Sequence, residues 1–239
     1  MFLVMKHIIA SIFLGITPLS FAQTLKDEGK IQVTVNQHKV HLNKDTLYEV
    51  NVTGEDFRAA FQIDNASFYF KPLGFRIADN AIRGTQGYVL VEESKEYAYQ
   101  VWPASFPNMP STREFAYQVT FHPRVLATKP LLYQESELTT EDPLHKTLLS
   151  KYKSFPVTIQ PEQTVVIQVN YEKPTINPII ELESRESVIS VSRARPRDAR
   201  MYIRICSNTS KEEKTVQLVV ASRDNENLGK FVVTARAAK

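Results

Sequence analysis

The sequence predicts an all-β protein, an immunoglobulin-like β-sandwich organised as two β domains joined by a short helix-containing connector. Apolar and polar residues alternate with a period of two through most of the chain, as they do in half-buried strands. Turn residues interrupt these runs about every 8 to 12 residues, the spacing of sandwiches and barrels. Glycine is scarce, at 7 of 239 residues, which argues against a glycine-rich phosphate loop.

Residues 1–22 have the pattern of a secretory signal peptide. An apolar core at residues 8–16 follows a positively charged residue, Pro18 ends the core, and small residues precede Gln23. A membrane span needs about 20 apolar residues, and this core is roughly half as long. We therefore expect cleavage before Gln23 and a periplasmic mature chain, with secretion from the cell as the lesser alternative. No later stretch is apolar enough to predict a transmembrane segment.

Charge and cysteine content narrow the classes of partner. The chain carries 29 basic and 26 acidic residues, a balance that argues against nucleic acid as a partner. Cys206 is the one cysteine, so we expect no internal disulfide and a fold that relies on burial. The alternation places Cys206 on the face opposite Ile203 and Ile205, which predicts a structural thiol. An intermolecular disulfide is the alternative.

An N-terminal β domain is predicted over residues 23–128. Its candidate strands are the alternating runs around Val33, Val50, Phe68, Phe75, Val89, Tyr99 and Val119. Residues 129–153 break the alternation and form the predicted connector. Thr139 to Pro143 resemble a helix start, with a hydroxyl cap and acidic residues at the positive end of the helix dipole. Apolar residues then recur every four positions from Leu144, which predicts a short helix.

A C-terminal immunoglobulin-like sandwich is predicted over residues 154–239. Seven candidate strands fall in about 85 residues, the strand count of a small immunoglobulin-like domain. These strands are the runs around Val157, Ile167, Ile180, Ile189, Ile203, Leu218 and Val233.

No arrangement of residues in the sequence points to catalysis or to a bound cofactor. His38 and His41 are three residues apart, which puts them on opposite faces of a strand and makes them poor ligands for one metal ion. No Gly-x-Ser-x-Gly elbow is present. Glu181 and Glu183 fit a solvated strand face better than a catalytic pair. We therefore expect a protein that is not an enzyme, with no metal site and no cofactor.

Five arginines within 12 residues form the most distinctive cluster in the sequence. Guanidinium groups bind carboxylates and phosphates through paired hydrogen bonds. One hypothesis is therefore an anion-binding surface for a partner's terminal carboxylate or a lipid phosphate. The alternative is a basic loop neutralised by Glu181, Glu183 and Glu186. The arginines are Arg193, Arg195, Arg197, Arg200 and Arg204.

A second candidate binding element is the alternating run between Pro161 and Pro174. At the edge of a sheet, such a strand can add to a partner's sheet and offer it alternate side chains. The alternative is an internal strand of the C-terminal sandwich, whose side chains belong to the core. The candidate partner-binding residues are Val165, Ile167, Val169 and Tyr171.

The run from Phe155 to Val169 resembles a segment of the periplasmic chaperones that assemble pili. In that family a P-x-x-x-hydrophobic-x-P-G run leads into the edge strand that caps subunits, and Glu162 stands here in place of the glycine. The resemblance implies that Val165, Ile167 and Val169 donate their side chains to an incomplete pilin. It also implies that basic side chains between the domains hold the pilin's terminal carboxylate.

A second stretch resembles the β-rich periplasmic subunits of type IV secretion and conjugation machines. It runs from Gly87 through an aromatic strand to Pro103. The sequence therefore predicts an exported protein-binding protein, and a periplasmic chaperone in fimbria or pilus assembly is the first hypothesis. The expected partners are protein subunits of a surface organelle. A structural periplasmic subunit of a secretion or conjugation apparatus is the alternative, and an exported hydrolase is the third.

Overall fold

A computed structural model describes residues 23–31, 36–54, 59–64, 67–70, 84–103, 115–171, 178–182, 188–193, 201–222, 225 and 228–239. These residues form sixteen strands in antiparallel sheets and no helix, which confirms the all-β class. Within the same ranges there is accordingly no helix that could cross a membrane. The predicted signal peptide, residues 1–22, lies outside the described residues.

The first half of the chain forms two sheets that pack face to face. Its strands are β1 (Leu25–Ile31), β2 (Asn36–Leu42), β3 (Thr46–Gly54), β4 (Ala59–Ile63), β5 (Ser67–Phe70), β6 (Gly84–Val91), β7 (Lys95–Pro103) and β8 (Phe115–Val125). One sheet has the order β1-β8-β3-β6-β5 and the other β2-β7-β4. Inward residues of both sheets, among them Val50, Val101 and Phe121, form one buried core. Their period of two is the alternation seen in the sequence.

The second half also forms two sheets around its own core. Its strands are β9 (Leu132–Glu137), β10 (Tyr152–Ile159), β11 (Thr164–Tyr171), β12 (Pro178–Leu182), β13 (Val188–Arg193), β14 (Met201–Asn208), β15 (Lys214–Ser222) and β16 (Lys230–Ala238). The five-stranded sheet has the order β13-β14-β11-β16-β9, and the three-stranded sheet has the order β10-β15-β12. Ile167, Leu218 and Val233 are fully buried between them.

The second half repeats the strand order of the first. When its strands are counted from β9, both five-stranded sheets have the order 1-8-3-6-5 and both three-stranded sheets have the order 2-7-4. The register repeats as well. Leu42 lies opposite Lys95 where β2 ends and β7 begins, and Ile159 lies opposite Lys214 at the equivalent point. The described strands are therefore two copies of one topology.

The strand order differs from the predicted immunoglobulin order. An immunoglobulin domain of the constant type pairs its strands as A-B-E-D and C-F-G, so that its second strand lies between its first and its fifth. Here β2 pairs with β7 and β10 pairs with β15, while β1 pairs with β8 and β9 pairs with β16. Alternation shows which residues face a core, but it does not show which strands are neighbours.

A third apolar cluster joins the two halves. Leu47, Tyr88 and Leu90 project from the outer face of the first five-stranded sheet and pack against Val166, Ile203 and Ile205 of the second. The Tyr88 hydroxyl lies 3.2 Å from Ser207 Oγ across this contact. Arg236 also forms an ion pair with Asp45, with 3.1 Å between Nη1 and Oδ1. The outward faces of the two five-stranded sheets are thus partly buried against each other.

The predicted helix in the connector is wrong. Residues 132–137 are strand β9, which pairs with β16 and so belongs to the second half. Downstream, Leu149 N donates to His145 O (2.8 Å), a single helical turn that ends with Leu149 in the left-handed region at φ 53°. Asp142 accepts a hydrogen bond from Thr139 N (2.7 Å), so the predicted cap closes a turn instead of starting a helix.

Candidate functional site

The predicted partner-binding strand is internal, so the edge-strand prediction is wrong and the alternative holds. β11 lies in the middle of its sheet, paired with β14 on one side and β16 on the other. Val165, Ile167 and Val169 are fully buried in the core of the second half. Tyr171, at the end of β11, is half-buried. Both edges of the strand are occupied, so a partner cannot pair with it unless a neighbour is displaced.

The arginine cluster is described only in part. Arg204 lies opposite Ile167 in β14 and therefore on the inner face, and its Nε is buried with no hydrogen-bond partner. Arg193 is the last residue of β13. Three members, Arg195, Arg197 and Arg200, lie outside the described residues, as do Glu183 and Glu186. The anion-binding surface therefore stays a prediction.

Cys206 occupies the position that the alternation predicted for it. It is fully buried in the core of the second half, and Ile203 and Ile205 pack on the opposite face against the first half. Burial raises the pKa of its thiol to about 12. A thiol in this setting is inert towards nucleophilic chemistry and disulfide exchange.

Strand β9 forms an exposed edge of the second half. It pairs with β16 on one side, and in the described part of the chain no strand covers the other. Tyr133 is 59 % exposed, and Leu131 just before the strand is 47 % exposed. Glu135 accepts a hydrogen bond from the Tyr133 hydroxyl (2.7 Å). An unpaired edge strand is a place where another strand can pair, and Leu131 and Tyr133 place exposed apolar and aromatic surface at this edge.

A cavity of about 590 Å³ adjoins the C-terminal end of β9. Its walls come from β9, β11, β14 and β16, where these strands reach the end of the five-stranded sheet. The polar and charged lining residues include Glu135, Glu137, Asn170 and Lys230.

Four polar side chains converge between the two sheets of the first half, and we call them the polar cluster. Its members are Asp27 of β1, His38 of β2, Tyr99 of β7 and Tyr117 of β8. Because β1 and β8 belong to one sheet and β2 and β7 to the other, each sheet supplies two members. All four occupy inward positions of their strands. The polar cluster therefore lies between the sheets at one end of the sandwich. Aliphatic and aromatic residues fill the rest of the space between the sheets.

Hydrogen bonds connect the members of the polar cluster in a chain. The Tyr99 hydroxyl donates to Asp27 Oδ2, and the same oxygen lies 3.3 Å from His38 Nδ1. The Tyr117 hydroxyl lies 2.8 Å from His38 Nε2 and 3.3 Å from His38 Nδ1. The His38 ring also stacks on Tyr99, with centroids 5.3 Å apart.

Burial determines the protonation of the two tyrosines. Burial is the main cause that raises the pKa of Tyr99 above its usual value, and the hydrogen bond to Asp27 is the second cause. Burial together with the negative charge of Asp27 raises the pKa of Tyr117 to about 12. Both side chains are therefore neutral phenols at physiological pH. The side chains of Asp27 and His38 are 40 % and 25 % exposed, so the cluster is open to solvent on that side.

The equivalent positions of the second half hold a different set of side chains. Counted in the shared register, His38 corresponds to Phe155, Tyr99 to Leu218 and Tyr117 to Phe231, while Asp27 corresponds to Gln134. The Phe155 and Phe231 rings pack edge to face at 6.1 Å, as the His38 and Tyr117 rings do at 5.5 Å. The same topology thus closes this end of the sandwich without the polar groups of the first half.

Sequence reasoning missed the polar cluster because it weighed His38 only against His41. His41 is exposed, on the opposite face of β2 from His38, as predicted. The part of the chain that the structure describes has no group of three or more His, Cys, Asp or Glu side chains placed to hold a metal ion. The sequence does contain one relevant pattern, because its period-two alternation places Tyr99 and Tyr117 on the inward faces of their strands. Comparisons of the chain with protein families, curated proteins and solved structures find no match.

Proposed function

We propose that this chain is an exported, non-enzymatic protein that binds other proteins and acts as a periplasmic chaperone in fimbria or pilus assembly. Two features support the proposal, the signal-peptide pattern of residues 1–22 and the exposed edge of β9 in an all-β chain. The contact differs from the one that the family resemblance implied, because β11 is enclosed by its neighbours. We place the contact at β9.

Each half of the chain is proposed to be one sandwich domain. A separate core between each pair of sheets supports this division. In each half the first strand pairs with the eighth, the second with the seventh and the third with the sixth. That pattern is closer to an eight-stranded jelly roll than to an immunoglobulin domain, and both are two-sheet sandwiches.

The observation that carries the proposal is the exposure of β9. Adding a strand to a sheet edge supplies main-chain hydrogen bonds for affinity and side-chain positions for specificity. Leu138 N donates to Gly229 O of the adjacent strand. By the alternation of an antiparallel ladder, the N–H of Glu135 then points away from β16, towards an incoming strand.

The charges at this edge indicate the chemistry of the partner. Glu135 and Glu137 are exposed on β9, and charged residues of one sign keep identical edges from pairing with each other. An incoming strand that carries Lys or Arg at the opposite positions would pair favourably. The cavity at the end of β9 offers room for one of its side chains.

A proline at the edge tests this contact. The full chain and its Glu135→Pro and Glu135→Ala variants are purified from the periplasm of the native host, and the co-purified proteins are identified. Wild type and Glu135→Ala are expected to retain a fibre subunit in a one-to-one complex. Glu135→Pro is expected to bind it at least about tenfold more weakly, because the ring removes an outward N–H and blocks the approaching strand.

Two results would overturn the proposal. Equal recovery of the subunit by Glu135→Pro, with the variant folded by circular dichroism, contradicts binding at β9. Detection of the chain in the purified, finished organelle contradicts the chaperone role and favours the structural-subunit alternative, since a chaperone leaves its subunits on assembly.

A further inference from the structure

We propose that the chain binds a second copy of itself, with strand β9 of one copy paired to strand β1 of the other. The inference uses the β9 edge of the proposed function, but it involves no fibre subunit and is tested without one. It starts from the two edge strands that the repeated topology leaves at equivalent places in the two five-stranded sheets.

Strand β1 is an edge of the same kind as β9. It pairs with β8 on one side, and within the described ranges no strand pairs with the other side. Strands that hold the same place and direction in equivalent sheets turn the N–H groups of the same face to the same side. On β9 that face carries Glu135, whose N–H points outward. On β1 it carries Lys26 and Glu28, which flank the inward Asp27, so their N–H groups also point outward.

The side chains of the two edges are complementary in one antiparallel register. Lys26 then lies opposite Glu135 of the second copy and diagonal to Glu137, and both distances suit an ion pair between long side chains. The Lys26 and Glu28 side chains are about half exposed and so are available to a partner. No like charges are opposite each other in this register. The opposed pairs are Lys26 with Glu135, Asp27 with Gln134, and Glu28 with Tyr133.

Other registers of β1 on β9 are less favourable. A shift of two residues in one direction places Glu28 opposite Glu135, and a shift of two in the other direction takes Lys26 away from Glu135. A shift of one residue sets outer-face side chains of one strand against inner-face side chains of the other. The charges therefore select a single register.

Pairing of identical edges is also less favourable. Two β1 strands related by a two-fold axis at Lys26, Asp27 or Glu28 place that charged residue opposite its own copy. Two β9 strands bring together only acidic charges. The contact that the charges favour is therefore the one between unlike edges.

The stacking of the two halves lets one dimer close both edges. The five-stranded sheets pack through their outer faces, with β5 in contact with β13. Strands β1 and β9 end the two sheets on the side away from β5 and β13. A second copy related by a two-fold axis on that side pairs its β1 with β9 and its β9 with β1, which is a self-complementary interface.

The pairing gives the β9 edge two competing ligands. In the absence of a fibre subunit, β1 of the second copy covers an edge that would otherwise be open to unspecific association. A subunit that pairs with β9 displaces the second copy, because both ligands use the same outward N–H groups.

Sedimentation velocity of the purified chain over a range of concentrations tests the pairing. Wild type is expected to form a dimer as the concentration rises. Lys26→Glu and Glu135→Lys each place like charges opposite each other in both contacts, so each should weaken the dimer at least about tenfold. An equimolar mixture of the two variants should recover the wild-type affinity, because one contact is then the wild-type pair and the other is the same pair reversed.

Lys39→Glu and Glu96→Lys are the matched controls. They make the same changes of charge on β2 and β7 of the other sheet, where Lys39 Nζ lies 2.8 Å from Glu96 Oε1. Both should leave the dimer unchanged.

Three results would contradict the pairing. They are a monomer at every concentration, a mixture that associates no more strongly than its separate variants, and a loss in the controls as large as in Lys26→Glu. Because no fibre subunit is present, none of these results bears on subunit capture by β9. A dimer with this charge dependence in a chain that captures no subunit supports the pairing and refutes the proposed function alone.

Discussion

At the scale of single residues, Asn208 shows how one amide can hold a turn. Its side chain is almost fully buried at the end of β14. Nδ2 donates to the carbonyl oxygens of Ile159, Gln160 and Glu212, at 2.7 to 3.2 Å. Oδ1 accepts from both the backbone N and the hydroxyl of Ser210. The amide thus links the β10–β11 turn to the β14–β15 turn.

Replacing this amide should be costly. Asn208→Ala removes the donor to Ile159 O and the acceptor of Ser210 N, while Gln160 O and Glu212 O keep Gln163 N and the Ser210 hydroxyl as donors. We expect the free energy of unfolding to fall by about 3 kcal/mol. Asn208→Asp should cost at least as much, because a carboxylate faces three carbonyl oxygens. Urea unfolding measures both variants against Lys211→Ala, an exposed change in the same turn. A loss as small as that of Lys211→Ala would show that the hydrogen bonds are not needed.

Residue-level alternation predicted the faces of the strands but not their neighbours. Val165, Ile167 and Val169 are on one face, and Cys206 is opposite Ile205, as the pattern required. Whether a strand lies at an edge depends on pairings with segments far away in the chain. An edge strand and an internal strand that each bury one face carry the same alternation. The contact predicted at β11 failed for this reason.

At the scale of elements, the two copies enter their third strand through similar turns. Asp45 precedes β3 with φ 55°, and Glu162 precedes β11 with φ 57°. In the second turn Gln163 N donates to Gln160 O (3.1 Å), with Pro161 between them. Proline followed by a left-handed residue is the combination of a type II turn, in which glycine is favoured at the third position.

A glycine should therefore stabilise the second turn. Glu162→Gly removes the steric cost of a side chain at positive φ, which exceeds the added entropy of the unfolded chain. We expect the free energy of unfolding to rise by about 0.5 to 1 kcal/mol. The control is Lys44→Gly, at an exposed turn position without positive φ, which should lower it slightly. A loss of stability in Glu162→Gly would contradict the account of the turn.

The connector shows where local signals fail. A capping pattern and a four-residue repeat predicted a helix after Thr139, and the structure has one turn between His145 and Leu149. Short helices are marginal unless tertiary packing buries a face. Leu144 is 54 % exposed, and Leu148 and Tyr152, the next members of the repeat, are only half-buried, so the predicted apolar face is not fully buried. The four-residue spacing of apolar residues is present, but the segment buries too little apolar surface to stabilise a helix.

At the scale of the whole molecule, the described strands form two copies of one topology joined by an apolar contact. The repeat could not be predicted from the sequence, because equivalent strands such as β6 and β14 share almost no residues. The repeat becomes visible when the strand pairings of the two halves and their register are compared. Once the copies are compared, the positions that differ in chemistry stand out, and the polar cluster is one such difference between the described parts of the two cores.

The comparison between copies leads to the central claim that the fold does not depend on the polar cluster. The most direct measurement is urea unfolding of the wild-type chain and of a His38→Phe/Tyr99→Phe/Tyr117→Phe variant, which keeps the rings and gives this end of the first half the hydrophobic character of the second. We expect the free energies of unfolding to agree within about 1 kcal/mol, because the lost hydrogen bonds are offset by the lower cost of burial. A loss of about 3 kcal/mol or more would show that the cluster holds the fold together, and would contradict the claim.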